Sequence, residues 1–162
     1  AMMWIGSLAL AGIPVFAGYY SKDIILESAF AADTRAGLFA YGLGIAAALL
    51  TAFYSWRLLY MAFHGQPRGD RHAHDHAHEA PAAMLAPLLV LVLGAIGSGI
   101  GFHDFFVGHH RDNFWRGTLF EAGGEILHKA HDIPGWAVLL PTIVGVIGIV
   151  LATLFYVVRP TW

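Results

Sequence analysis

Four long stretches of this sequence contain no Asp, Glu, Lys or Arg, and they constrain the fold more than any other feature. They cover residues 1–21, 36–56, 80–102 and 133–158, and the shortest are 21 residues long. A helix of about 20 apolar residues crosses the ~30 Å hydrocarbon core of a bilayer. Membrane strands would instead alternate in polarity over about 10 residues, and these stretches do not. The sequence therefore predicts an all-α, polytopic transmembrane protein with about four spans.

The residues between these stretches predict where each segment begins and ends. Aromatic residues and Arg57 mark a membrane boundary at the end of the second stretch. Gly97 and Gly101 form a GxxxG pattern that predicts the close approach of another helix, and Pro141 predicts a kink in the last span. The predicted segments are a discontinuous transmembrane helix (1–35), a transmembrane helix (36–63), a His-rich polar loop (64–81), a transmembrane helix (82–101), an interfacial loop with an amphipathic helix (102–132) and a transmembrane helix (133–159).

Charge and composition argue against several classes of function. Only 12% of the residues are charged and the formal net charge is −2, so there is no basic patch for nucleic acid. The absence of cysteine excludes disulfides, thiolate nucleophiles and sulfur-ligated metal centres in this chain. No GxSxG, HExxH or P-loop motif is present, so the sequence gives no support for hydrolase or nucleotide chemistry.

The first apolar stretch contains the residues that favour a broken helix. Pro14 removes an intrahelical hydrogen bond, and Gly12 and Gly18 permit backbone conformations that other residues avoid. Irregular backbone at membrane depth needs protein or water to satisfy its polar groups, and the ends of half-helices form ion sites in transporters. These residues therefore predict an interrupted membrane helix with a polar site at the break.

Lys22 follows the predicted break, and apolar sequence continues on both sides of it. Desolvation disfavours the charged form of a lysine, whereas a neighbouring carboxylate favours it. A lysine between those influences can take up and release a proton, so Lys22 is predicted to be a proton carrier. Asp23 and Glu27 share a helix face and are predicted to modulate it. The alternative is that Lys22 snorkels at the end of an ordinary span.

Histidines form the second group of polar residues that chemistry could use. Residues 71–79 read RHAHDHAHE, and imidazoles suit zinc, copper or nickel. The metal-ligand candidates are His72, His74, His76 and His78. Their alternate spacing does not place them on one helix face, and the alternative to a metal site is a solvated surface loop. Glu125 and His128 have an i, i+3 spacing that also occurs in metal motifs, but the motif occurs only once, so a polar face of an amphipathic helix explains the pair better.

Three motifs resemble one known family. Residues 8–23 (LALAGIPVFAGYYSKD), 53–65 (FYSWRLLYMAFHG) and 78–81 (HEAP) resemble subunit L of the proton-pumping NADH-quinone oxidoreductase, respiratory complex I. Val15 stands where that family often has a second proline, and Ile24 stands where it often has an acid. Lys22 favours subunit L over subunit M, which tends to carry glutamate there, and Asp23 favours the respiratory enzyme over the large subunit of multisubunit sodium-proton antiporters.

The resemblance implies that the chain is a fragment of a larger antiporter-like fold. Lys22 would correspond to the terminal lysine of a chain of buried lysines and acids, with the other channel residues before Ala1 and a long lateral helix after Trp162. The resemblance also implies a multi-pass protein of the bacterial inner membrane that has no cofactor of its own. The implied partners are the other membrane subunits of complex I, lipid and protons, whereas redox chemistry takes place in other subunits.

Two other functions remain open from the sequence. The chain could belong to a multisubunit cation/proton antiporter, or it could be a non-catalytic membrane scaffold or metal-handling protein that uses the His-rich loop.

Overall fold

The fold is an assembly of helices, given by a computed structural model that describes residues 1–64, 79–118 and 126–158. The side chains of residues 127, 128 and 131 lie outside this description. The helices are α1 (Met2–Ala11), α2 (Ala17–Ala31), α3 (Arg35–Phe63), α4 (Ala82–Phe106), α5 (Arg111–Trp115), α6 (Ile126–His131) and α7 (Gly135–Thr153), which continues as a π-helical turn over Leu154–Val158.

Three of these helices are long and apolar enough to cross a membrane: α3, α4 and the combined segment Gly135–Val158. Helix α1 is apolar but has only 10 residues. It is separated from α2 by five residues, so α1 and α2 are the two halves of the interrupted first helix that the sequence predicted. The all-α membrane class is confirmed, and the spans expose many large apolar side chains that a bilayer or neighbouring helices would cover.

Helix α3 lies at the centre and packs against α1, α2 and α7. Small residues allow its close contact with α7: Ala52 and Ala152 are fully buried, and a Cβ on Gly148 would lie 2.6 Å from the carbonyl oxygen of Leu49. Membrane helices commonly pack in this way, because small residues let two backbones approach. Near the amino end of α1, the ring of Trp4 packs edge-on against Trp56 of α3.

Helix α4 differs from the sequence prediction in two respects. It continues to Phe106, five residues beyond the predicted end at 101, because the polar residues that begin at position 103 do not stop a helix as proline would. Its close contact also lies elsewhere. No described atom is within 4 Å of a Cβ placed on Gly97 or Gly101, so no described helix packs at the GxxxG pattern and that contact stays a prediction, whereas a Cβ on Gly99 would lie 2.9 Å from the Cα of Ala17.

Candidate functional site

The break between α1 and α2 is built by a left-handed glycine and a proline. Gly12 has a φ of +76° and ends α1, a conformation that glycine adopts at little cost. The backbone N–H groups of Gly12 and Ile13 donate to Ala9 and Leu8, each at 3.2 Å. Val15 has a φ of +88°, which is strained for a β-branched residue, and such strain concentrates at functional sites.

Lys22 satisfies the carbonyl group that Pro14 leaves without a helical partner. In a continuous helix the oxygen of Leu10 would accept a hydrogen bond from residue 14, but proline has no N–H to donate. The Lys22 Nζ atom donates to this oxygen instead, at 3.1 Å. The lysine therefore lies at the carboxyl end of α1, where the helix dipole favours a positive charge.

Gly18 allows α2 to begin directly against the end of α1. A Cβ at this position would lie 1.9 Å from the carbonyl oxygen of Ala9 and 2.9 Å from its carbonyl carbon. These are backbone atoms, so no side-chain rotation could relieve the overlap. Of the residues that the sequence predicted for the break, the structure thus brings together Gly12, Pro14, Gly18 and Lys22.

Replacing Gly12 with alanine is expected to destabilise the break by about 1–2 kcal/mol, because an L-residue is strained in the left-handed region. Its Cβ would also lie 3.2 Å from the Lys22 Nζ atom. Gly117→Ala is the matched control, since Gly117 has a φ of +78° and no described atom lies within 4 Å of its Cβ position. Thermal unfolding of the full-length subunit should show a similar loss of stability for both variants. Only Gly12→Ala should displace the Lys22 side chain from its hydrogen bond with Leu10. A Gly12→Ala variant as stable as the parent would contradict the described break.

Two acidic residues follow Lys22 on α2, and the first is buried. Asp23 is only 7% exposed, and its Oδ2 atom has no hydrogen-bond partner among the residues that the structure describes. The Tyr19 hydroxyl lies one turn earlier and interacts with the Asp23 carboxylate. Glu27 lies one turn later, and the charges of Glu27 and Lys22 act on Asp23 in opposite directions. Lys22, Asp23 and Glu27 therefore form one electrostatically linked group.

A cavity of about 210 Å³ lies beside this group, between α2 and α3. Lys22 and Thr51 are the polar residues that line it, and the other lining residues are Ile25, Leu26, Gly44, Ala47 and Ala48. A water in a protein site needs two or more polar partners and at least about 10–15 Å³ of space. The cavity is large enough for several waters next to a side chain that can bind a proton.

Sequence reasoning missed Tyr41 on α3, which plays the same hydrogen-bonding role as Lys22: each donates to a carbonyl oxygen that a proline leaves without a helical donor. Its hydroxyl donates to the carbonyl oxygen of Ala137 at 2.8 Å. That oxygen lies four residues before Pro141, so it too lacks a helical donor. The proline was visible in the sequence, but no local pattern indicates that a residue 96 positions away would supply the donor.

The histidine predictions fall largely outside the described residues. His72, His74, His76, His78 and Glu125 belong to segments that the structure does not describe, and of His128 only the backbone is given. Within the described ranges, no cluster of three or more His, Cys, Asp or Glu is arranged to hold a metal ion.

Comparison with known proteins identifies the family. No family model matches the chain, but curated relatives do. It is 48% identical to NADH-quinone oxidoreductase subunit L of Rhodobacter capsulatus over 118 residues, which cover 65% of this chain and 16% of the relative. It is 40% identical to NADH-ubiquinone oxidoreductase chain 5 of Phytophthora infestans, over 91% of this chain and 22% of the relative. This chain belongs to the subunit L and chain 5 family.

The similarity extends through nearly the whole of the chain. Subunit L of Rickettsia conorii is 39% identical over 152 residues, or 94% of this chain. The chain spans only about 16–22% of the length of these three relatives. The resemblance that the sequence showed in three motifs is therefore confirmed well beyond them, and these subunit L relatives are named as parts of an oxidoreductase rather than of an antiporter.

Proposed function

We propose that this chain is part of a proton-translocating membrane subunit of an NADH-quinone oxidoreductase and that Lys22 carries the proton. The observation that supports the proposal best is the position of Lys22. Its Nζ atom lies at the break between two half-helices, beside a buried carboxylate and a cavity of about 210 Å³ that Lys22 and Thr51 line with polar groups. Ionisable residues in such positions mark ion pathways in membrane proteins.

The geometry allows Lys22 to change its protonation state without disturbing the helix break. An ammonium group has three N–H donors and a neutral amine has two, so the hydrogen bond to Leu10 can persist in both states. The charged state is favoured by Asp23 and by the carboxyl end of α1, and it is disfavoured by loss of water from the cavity. A change in the charge of the acids or in hydration therefore changes the proton affinity of Lys22.

A pump needs two states that differ in proton affinity, and this group of residues provides them. We propose that redox chemistry occurs in other subunits. The relatives are each named as a single subunit of an oxidoreductase, which supports this division. In that arrangement this chain needs no cofactor. Its proposed location is the bacterial inner membrane, with other membrane subunits of the complex as neighbours.

The test is proton pumping by the assembled oxidoreductase with Lys22→Ala in the full-length subunit. Inverted membrane vesicles would be supplied with NADH, and NADH oxidation and proton uptake would be measured together. Positioned proton donors and acceptors contribute about 100-fold or more to proton-transfer rates. The pumping that this subunit carries should therefore fall about 100-fold, and the protons moved per NADH should decrease.

Lys129→Ala is the control, because Lys129 is the other lysine of the chain and is exposed on α6. It should leave the ratio of protons to NADH unchanged. If Lys22→Ala leaves that ratio unchanged in a fully assembled complex, Lys22 is not the proton carrier and the proposal fails.

A further inference from the structure

Leu26 is a large apolar side chain that lines the cavity beside Lys22. It lies one turn after Lys22, so both side chains are on the same face of α2, and both border the cavity of about 210 Å³. On the opposite side, α3 contributes mostly small residues, which leave the space open: Gly44, Ala47, Ala48 and Thr51. The volume that is open next to Lys22 therefore depends on where the Leu26 side chain lies.

Gly44 leaves a gap in α3 that one methyl group of Leu26 fills. A Cβ at Gly44 would overlap the Cδ2 atom of Leu26 and would lie 3.6 Å from its Cγ atom. The overlapping atom is the end of a flexible side chain, so a change of the Leu26 rotamer would relieve the overlap. The observed position of Leu26 thus depends on the absence of a side chain at residue 44.

The packing around Leu26 leaves the cavity as the space into which its side chain can turn. Leu26 is 6% exposed and forms a buried cluster with Tyr41 and Ala137, which are 7% and 0% exposed. Partly buried apolar residues pack against that cluster: Ala29, Phe30, Ile45, Ile133 and Leu140. A well-packed interior does not accommodate an extra methyl group without strain. A Leu26 side chain that leaves the gap at Gly44 would therefore enter the cavity.

We propose that Leu26 is a positioning residue that controls the water next to Lys22: over Gly44 it leaves the cavity open, and turned away from Gly44 it occupies the cavity. The inference rests on the proposed proton pumping and adds the regulation of the same site. A water in a protein needs two or more polar partners, and Lys22 and Thr51 provide them in this cavity. Loss of that water disfavours the charged form of a lysine, so the position of Leu26 changes how readily Lys22 holds its proton.

A cysteine in place of Thr51 would report the water in the cavity. The chain has no cysteine of its own, and Thr51 shares the cavity with Lys22. The thiolate is the reactive form of cysteine and is disfavoured in apolar surroundings, so iodoacetamide should modify Thr51→Cys faster when water fills the cavity. The modification would be followed over time by mass spectrometry of the full-length subunit in the assembled complex.

Gly44→Ala and Leu26→Ala are expected to move this rate in opposite directions. In Gly44→Ala the new Cβ displaces Leu26 into the cavity, so the modification should be several-fold slower. Leu26→Ala removes the side chain that fills the cavity, so the modification should be several-fold faster. A substitution that only loosened the packing would speed the reaction in both variants. Gly42→Ala is the matched control, because no described atom lies within 4 Å of its Cβ position, and it should leave the rate unchanged.

A double variant tests whether Gly44→Ala acts through Leu26. Alanine at position 26 has no Cδ2 atom to be displaced, so adding Gly44→Ala to Leu26→Ala should not slow the modification. Such non-additivity is expected of residues in contact. Leu26→Val also lacks the Cδ2 atom and takes the place of Leu26→Ala if that variant does not assemble. Equal slowing by Gly44→Ala in both backgrounds, or no slowing in either, would overturn the inference.

Proton pumping is measured on the same substitutions with Thr51 intact. Gly44→Ala should lower the ratio of protons to NADH while NADH oxidation by the assembled complex continues. A parental ratio in Gly44→Ala, together with a lowered ratio in Lys22→Ala, would reject the role of Leu26 alone. A parental ratio in Lys22→Ala would reject the proposed proton carrier, and the iodoacetamide rates would still decide whether Leu26 controls the water in the cavity.

Discussion

Replacing Gly18 with alanine is expected to destabilise the packing of the two half-helices by about 3 kcal/mol, at the upper end of what overpacking costs. The added Cβ would lie 1.9 Å from the carbonyl oxygen of Ala9, which is far inside van der Waals contact. In an open helical position the same change would stabilise by up to about 1 kcal/mol, since alanine is the better helix former. The contact with Ala9 therefore determines the sign of the effect.

Gly42→Ala supplies the matched comparison for this prediction. Gly42 lies inside α3 and has no described atom within 4 Å of its Cβ position, so the substitution should be neutral or slightly stabilising. The measurement is the thermal unfolding of the full-length subunit in detergent, together with its amount in the membrane. Equal stability of the Gly18→Ala and Gly42→Ala variants would show that α1 and α2 do not approach as closely as described.

The interruption of the first helix could be predicted because its causes are local. Pro14 and the two glycines determine backbone conformation within a few residues, and the lysine follows directly in the sequence. That Leu10 loses its helical donor also follows from its spacing to Pro14. The identity of the replacement donor does not, because the 3.1 Å contact between Lys22 and Leu10 depends on how far α2 folds back on α1.

The contacts between distant helices could not be predicted for the same reason. Gly97, Gly99 and Gly101 look equivalent in the sequence, and only the rotation of α4 against α2 places Gly99 in the contact. Tyr41 reads as an ordinary tyrosine in an apolar span until Pro141 is placed beside it by tertiary packing. The end of α4 at Phe106 was missed because the predicted boundary followed polarity, whereas helix length follows backbone geometry.

Lys22→Gln separates two roles that Lys22→Ala removes together. In the described structure Lys22 donates a hydrogen bond to Leu10, and in the proposed mechanism it also binds and releases a proton. A glutamine amide can donate a hydrogen bond but does not titrate. The variant is therefore expected to retain more of the stability of the break than Lys22→Ala does and to lose proton transfer just as completely.

Glutamate at the same position provides the complementary variant. Lys22→Glu restores a titratable group but cannot donate to Leu10 when it is ionised. It should impair pumping less than Lys22→Gln if any titratable group suffices. An equal loss of pumping in the two variants would show that a positively charged hydrogen-bond donor at the carboxyl end of α1 is itself required.

The most direct test of the account is the number of protons moved per NADH oxidised by the assembled complex that carries Lys22→Gln. The account predicts a clear decrease at an unchanged amount of assembled complex, with the pumping assigned to this subunit slowed about 100-fold. The parental number of protons per NADH in that variant would contradict it, because a residue that cannot titrate would then be sufficient at the helix break.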